Sequence, residues 1–283
     1  MKKIKYSIVI PTWNNYVQVN KLINLLVYAK LYCDNNFFVE IIIVDDTPEK
    51  MREEIYLNKN TIDGIYYKII YNKENIGFTK SLNKAIKSSN GKILIILNDD
   101  IEIRQDFFFI LENKSINILA PKLLYPDGRI QKSIRRFPSL LGFVFDKNKK
   151  EYFCNDFDYN KQQYVEQPMF SALIVKRELF FKIGYLDENN GYKLYFSDVD
   201  WCKRVALAGY SIEYNPDLIV IHHHGISGSK LGLYKELLWV KGLKRYIEKY
   251  GSSSEKFFIK YMFWVIVLGK IISKIKRNIG KKD

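Results

Sequence analysis

The chain has 283 residues, 47% hydrophobic and 27% charged, with only 15 Gly and 7 Pro, so it can bury a full core and is neither disordered nor collagen-like. Its 3 cysteines lack C-x-x-C spacing, which excludes a disulfide framework and points to a reducing compartment. The net charge is +14, but it is concentrated: residues 230–283 hold 14 Lys and Arg against 4 Asp and Glu, and residues 1–229 hold 31 against 27.

Tyr6 to Ile10 is a short apolar run ending at Pro11, which predicts a buried strand. Val19, Leu22, Ile23, Leu26 and Val27 then recur at helical spacing. Val39 to Val44 is β-branched and continuous, the pattern of a central parallel strand, and it stops at Asp45-Asp46. Ile65 to Tyr71 predicts another strand, followed by Asn75-Ile76-Gly77 and a helix from Lys80 to about Lys87. Ile93 to Leu97 predicts a fourth buried strand, ending at Asn98-Asp99-Asp100. Strand and helix alternate as in an open α/β sheet.

The second half reads differently. Pro121 to Tyr125, Pro126-Asp127-Gly128 and Arg129 to Ile134 carry a hairpin signal. Lys147 to Gln163 has no clear period and reads as a loop. Met169 to Val175 predicts a strand. Helices are expected from Arg177 to Ile183 before Gly184, and from Ser197 to Ala208 before Gly209. Tyr210 to Tyr214 and Leu218 to Ile221 predict strands, with His222-His223-His224 after them.

Three apolar strands thus end in polar clusters: Thr12-Trp13-Asn14, Asp45-Asp46 and Asn98-Asp99-Asp100. In open parallel sheets, ligands bind outside the carboxyl ends of the strands. Several acids on that edge suit a phosphate held through a hard cation, Mg²⁺ or Mn²⁺, and no G-x-G-x-x-G or P-loop is present. Each acidic pair alone also reads as a strand-end turn. Ser197-Asp198-Val199-Asp200 reads as a capping box with acids at a helix start, and equally as a carboxylate fixed beside a cleft as general base. The chain's 3 histidines can supply one ligand to a carboxylate-bound metal or form a surface loop; a zinc site lacks partners. Arg135 and Arg136 read as surface residues rather than as contacts to a diphosphate or an anionic acceptor.

In order, these pieces resemble the family 2 glycosyltransferases of the GT-A fold, particularly the rhamnosyltransferase-like branch. The similarity runs through Ser7 to Asn14, Val44-Asp45-Asp46, Glu74-Asn75-Ile76-Gly77-Phe78 with Asn83, and Leu97 to Asp100. It continues through Arg177-x-x-Phe180-x-x-Ile183-Gly184-x-x-Asp187-Glu188, Asp198-Val199-Asp200-x-Cys202-x-Arg204, Ala208-Gly209-Tyr210, Pro216 and His222 to Ser227. The resemblance implies a mixed, mostly parallel α/β sheet flanked by helices, with a transferase domain over residues 1–229 and a basic helical segment over 230–283. It implies that Pro11, Thr12, Trp13, Asp45 and Asp46 bind the base and ribose of a nucleoside diphosphate sugar (dTDP- or UDP-linked). Asn75, Gly77, Asn83, Asn98 and Asp99 complete the donor site. By the same resemblance Asp100 and His222, with His224 as the alternative, approach Mg²⁺ or Mn²⁺, and Asp198 is the catalytic base. Asn98 replaces the usual first acid of D-x-D, and Ser197 replaces the usual Glu before the base. The implied activity is inverting transfer to a hydroxyl of a glycan or lipid-linked acceptor, in cell-surface polysaccharide or glycoprotein glycan synthesis.

Two other readings compete. A sugar-nucleotide-forming nucleotidyltransferase would need a Gly-rich, Lys-bearing loop after the first strand, which is absent. The other is a basic membrane- or nucleic-acid-binding module with a vestigial transferase domain; the nearly balanced main body argues against a nucleic-acid groove there, and no nucleic-acid partner is expected. In the tail, Tyr261 to Leu268 is an apolar run of eight residues between Lys260 and Lys270, too short for the ~18 residues of a span. An interfacial helix on an anionic membrane is expected, with packing on the body or in a homodimer as the alternative. Met1-Lys2-Lys3-Ile4-Lys5 resembles a signal n-region only until Pro11 interrupts the apolar stretch. The expected location is the cytoplasm, peripheral on the inner face of the cell membrane.

Overall fold

Strand β1 (Ile4–Thr12) lies between β2 (Phe38–Asp45) and β4 (Ile93–Leu97), both parallel to it, and β2 carries β3 (Ile65–Tyr71) on its outer edge. Covered on both edges and both faces, β1, β2 and β4 are apolar at nearly every position rather than at alternate ones. The structure is a computed structural model that describes residues 4–33, 36–56, 64–140, 152, 154–188, 192, 195–223 and 234–279.

The sheet continues past β4 through β10 (Ala172–Lys176), β6 (Ile118–Leu124), β11 (Ile212–His222) and β5 (Ile101–Ile103), in the order β3-β2-β1-β4-β10-β6-β11-β5, with β8 (Gln163–Val165) also pairing β11. β10 is antiparallel to both neighbours, and β5 and β8 are antiparallel to β11; the remaining ladders are parallel. This is the mixed, mostly parallel architecture expected. A small second sheet pairs β7 (Ile134–Arg135) with β9 (Gln167–Pro168).

Helix α1 (Tyr16–Tyr32) buries Val19, Leu22, Ile23, Leu26 and Val27 on one face of the sheet, as their spacing predicts. On the other face lie α2 (Phe78–Lys87), α4 (Glu178–Ile183) and α5 (Ser197–Leu207), which pack Leu82, Ile86, Phe180, Trp201 and Val205 onto Val9, Ile42 and Ile96. Helix α3 (Phe107–Glu112) closes the α1 side with Phe107 and Phe108. Each such fully buried side chain contributes roughly 1.5–3 kcal/mol of transfer free energy.

Several elements differ from their sequence reading. Pro11 sits inside β1 because the ladder to β4 stops at Val9, so its missing N–H costs no bond there. The hairpin keeps its turn, with Gly128 at φ 82° and Tyr125 N–H donating to Arg129 O, but it narrows to a single Leu124–Ile130 bridge. Its second arm leaves to pair with β9. Helix α2 starts at Phe78, two residues early, because Gly77 at φ 87° supplies the entry bend. The strand expected from Met169 begins at Ala172, and the two last strands merge into β11 with a register shift between Asn215 and Ile219. Of the loop expected from Lys147 to Gln163, residues 147–151 and 153 lie outside the described residues, the others form turns and bends, and Gln163 opens β8.

Helices α6 (Tyr234–Tyr250) and α7 (Ser253–Ile279) follow. Helix α6 packs Leu243, Tyr246 and Ile247 on Tyr192, Phe196 and Val199. Gly242 makes the close approach possible, since a Cβ there would lie 2.7 Å from the Phe196 ring.

Candidate active site

The parallel register brings the carboxyl ends of β1, β2 and β4 to one edge. Thr12 is opposite Asp45, and the Thr12 hydroxyl donates to Asp99 Oδ2 at 2.7 Å. Asp99 is buried, and desolvation pushes its carboxyl up to about 6 against the opposing bond from Thr12. Trp13 is half-buried beside it, and Asn14 takes a left-handed φ of 50° with its N–H donating to Thr47 Oγ1 at 2.7 Å. Pro11, Thr12 and Trp13 therefore line this edge.

Asp45 and Asp46 are committed inside the protein. Asp45 is fully buried; Tyr16 donates to its Oδ2 at 2.8 Å and the Thr47 N–H to its Oδ1 at 2.8 Å. Asp46 accepts from Asn72 and Ser81, each at 2.7 Å, and from the Gly77 N–H at 3.1 Å; burial raises its pKa above the ordinary carboxylate value. Any nucleotide contact from this pair must exchange one of these bonds. Asn75 is exposed, and its Oδ1 accepts from the Gly77 N–H at 3.0 Å, holding the turn into α2. Asn83 is buried and turned inward: its amide donates to Leu186 O at 2.8 Å and Glu188 Oε1 at 2.7 Å, while its Oδ1 accepts from the Leu186 N–H at 3.0 Å. The whole amide thus clamps the segment after α4. Asn98 is half-buried, its N–H spent on Ser171 O.

The antiparallel pairing of β5 with β11 sets Ile101 opposite His222, which carries the end of β11 to the acidic cluster. His222 Nε2 lies 3.3 Å from Asp100 Oδ1, and both side chains are buried. His222 Nδ1 is 2.8 Å from Gln131 Oε1. An amide oxygen only accepts, so Nδ1 donates to Gln131, and Nε2 faces Asp100 as an acceptor in the neutral ring or as a donor in the imidazolium. Asp100 Oδ1 has no hydrogen-bond partner. With the ring neutral, Nε2 and the carboxylate fit a cation between them, and an imidazole with a carboxylate suits Mn²⁺ or Mg²⁺ completed by phosphate oxygens. The residues present fit the expected metal, although no cluster of three or more His, Cys, Asp or Glu occurs among the described residues. His223 turns away to Glu102, which Lys21 also binds. His224 lies outside the described residues.

Asp198 sits in the first turn of α5. The capping box does not form: Phe196, at φ 71°, is the N-cap residue with no side-chain cap bond, and the Ser197 hydroxyl accepts from Thr79 at 3.0 Å. A bulky residue in the left-handed region stores strain, here held by packing against Trp239 and Tyr246. Burial raises the Asp198 pKa above its ordinary value, and the positive charge of Arg135 opposes that rise. Gln167 Nε2 is 3.4 Å from Asp198 Oδ2.

Gln131, Arg135 and Gln167 are the residues that sequence reasoning missed. Gln131, Ser133 and Arg135 alternate along an extended run, so they share one face, a period-2 polar signal hidden inside the supposed hairpin arm. Arg135 is half-buried and pairs with Gln167 across the small sheet; Arg136 is the exposed member. This face runs from His222, through Gln131, to Asp198, through Arg135 and Gln167. Asp100 Oδ1, Gln131 Nε2, Ser133 Oγ and Gln167 Oε1 are buried atoms without partners along it. Orphaned buried polar atoms concentrate where water, ions or ligands belong.

Comparison with known proteins accords with this arrangement. Residues 7–113 match the family described as Glycosyl transferase family 2. An uncharacterized protein of Sinorhizobium fredii, y4gI, is 24% identical over 231 residues, covering 78% of this chain and 24% of that protein. The N-acetylglucosaminyl-diphospho-decaprenol L-rhamnosyltransferase of Mycobacterium tuberculosis is 31% identical over 117 residues, covering 37% of this chain and 36% of that protein. The chain thus spans about a quarter to a third of the length of these relatives. The crystal structure of GalNAc-T7 with UDP, GalNAc and Mn²⁺ superposes with a TM-score of 0.61 at 15% identity, covering 91% of this chain and 50% of that one. The fold is GT-A.

Proposed function

We propose that this protein is an inverting, metal-dependent glycosyltransferase, moving a hexosyl or rhamnosyl group from a UDP- or dTDP-sugar to a hydroxyl of a glycan or lipid-linked acceptor. The observation that carries the reading is the Asp100–His222 pair, with its unpartnered carboxylate oxygen, joined by one polar face to Asp198. The rhamnosyltransferase name of one relative, and the UDP and Mn²⁺ in a solved structure of the same fold, support the donor and metal class.

In this reading Pro11, Thr12 and Trp13 seat the base and ribose, and Asp99 is positioned by Thr12. Asp100 and His222 hold the divalent ion, which when bound supplies positive charge to the departing diphosphate. Asp198 takes the proton from the acceptor hydroxyl as that oxygen attacks the anomeric carbon from the face opposite the diphosphate. Its raised pKa makes its ionised form a better base than an ordinary carboxylate. Gln167 orients it, and the charge of Arg135 sets its proton affinity.

The test is a screen of UDP-, dTDP- and GDP-sugars by thermal shift with Mn²⁺, then metal-dependent donor hydrolysis by the full chain and by Asp100→Ala. A donor-specific shift that chelator abolishes, with hydrolysis lost in the variant, is the expected result. Hydrolysis that persists in excess chelator overturns the metal assignment.

A further inference from the structure

Helix α7 runs from Ser253 to Ile279 and has two apolar faces, of which only one is used. Ile259 and Val267 are buried, and Ile259 and Ile266 join the cluster formed by Leu243, Tyr246 and Ile247 of α6. On the other side, Phe257, Phe258, Tyr261, Trp264, Val265, Leu268 and Ile272 are each at least 52% exposed. At about 100° per residue these seven fall on a stripe about 120° wide that contains no charged residue.

We propose that this stripe is a docking surface for an anionic lipid bilayer, on which α7 lies flat. Three observations select that partner. First, α7 carries six Lys or Arg against one acid, Glu255, so it complements anionic headgroups and would repel a second copy of itself. Second, the stripe includes Tyr261 and Trp264, and the amphipathic rings of Tyr and Trp favour the headgroup boundary. Third, no helix among the described residues is long and apolar enough to cross a membrane, so this one rests on the surface rather than spanning it. Lys256 and Lys260 are exposed along one flank of the stripe, where their stems can reach the headgroups.

The surface is mechanically tied to the site. Helix α7 packs on α6, α6 packs on Phe196 at the start of α5, and α5 carries Asp198. A bilayer under α7 would hold the base helix at a fixed height above the lipid, where a lipid-linked acceptor presents its hydroxyl. That last step rests on the proposed transferase reading; the docking itself does not.

The experiment is co-sedimentation of the full chain with vesicles of phosphatidylcholine alone or mixed with phosphatidylglycerol, beside the Trp264→Ser/Leu268→Ser and Lys256→Glu/Lys260→Glu variants. Melting temperature and light-scattering mass are measured on each. Expected is binding at least about tenfold stronger to the anionic vesicles, weakened by salt and by the charge reversal, and lost in the apolar variant with melting unchanged. Failure of the full chain to pellet with anionic vesicles at low salt overturns the proposal. So does undiminished binding by the apolar variant, or a dimer mass that falls to the monomer when the stripe is changed. Vesicle binding without any donor-sugar turnover would sink the transferase reading and leave the docking intact.

Discussion

Lys249 Nζ donates to Asp200 Oδ1 at 2.7 Å, and Asp200 is completely buried. The same carboxylate accepts from Tyr250 at 2.9 Å and, through Oδ2, from Arg204 Nε at 2.9 Å. Arg204 in turn donates to the carbonyls of Ile183, Gly184 and Tyr185. One buried acid thus ties the end of α6 to the helix that presents Asp198 and to the segment after α4.

That tie predicts where the chain can be cut. Lys249→Met should cost about 1–3 kcal/mol in a denaturant titration, because Asp200 loses a cation while it stays buried. A chain ending at Gly251 should melt cooperatively. One ending at Ser229 should expose Phe196 and Val199 and aggregate, whereas independent folding of residues 1–229 would show that α6 is dispensable.

Gln131 fixes the His222 tautomer from outside the proposed metal pair. Gln131→Leu should weaken Mn²⁺ affinity about 10–100-fold, the usual size of such outer-shell effects, with little change in melting temperature. Equilibrium binding followed by Mn²⁺ electron paramagnetic resonance measures this without any turnover. Unchanged affinity would remove Gln131 from the site.

Asp198→Asn should reduce transfer by about 10²–10⁴-fold while leaving donor binding intact. The acidic limb of kcat/KM reports the ionisation of the free enzyme's base. Because Asp198 is raised by burial, that limb should lie above the ordinary carboxylate value, with activity falling as pH drops through it. The Arg135 charge favours the ionised form, so Arg135→Met should move the limb to higher pH. A limb that stays in place would show that Arg135 does not tune the base.

Asn83→Ala removes three bonds of a buried amide to Leu186 and Glu188, and should lower stability by about 2–3 kcal/mol. Donor KM in the folded fraction should not change. A raised KM with unaltered stability would return Asn83 to the nucleotide site.

The parallel core, the polar edge at its strand ends and the bounds of α4 and α5 were legible in the sequence. Continuous runs such as Ile41 to Val44 and Ile93 to Leu97 can be buried only between neighbours, and the polar residues that end them must then meet at one edge. Helix spacing alone assigned the buried face of α1. The tertiary structure decided which polar residues face that edge. Asp46 and Asn83 match a donor motif yet spend their side chains on Asn72, Ser81 and Leu186, a choice set by neighbours distant in the chain. Gln131 and Gln167 reach the site only because β7 abandons its hairpin partner for β9, a pairing that local alternation cannot encode. The tail's apolar residues were legible as a helix, but which of them stay exposed was fixed only when Ile259 and Val267 turned inward to α6 and the protein body.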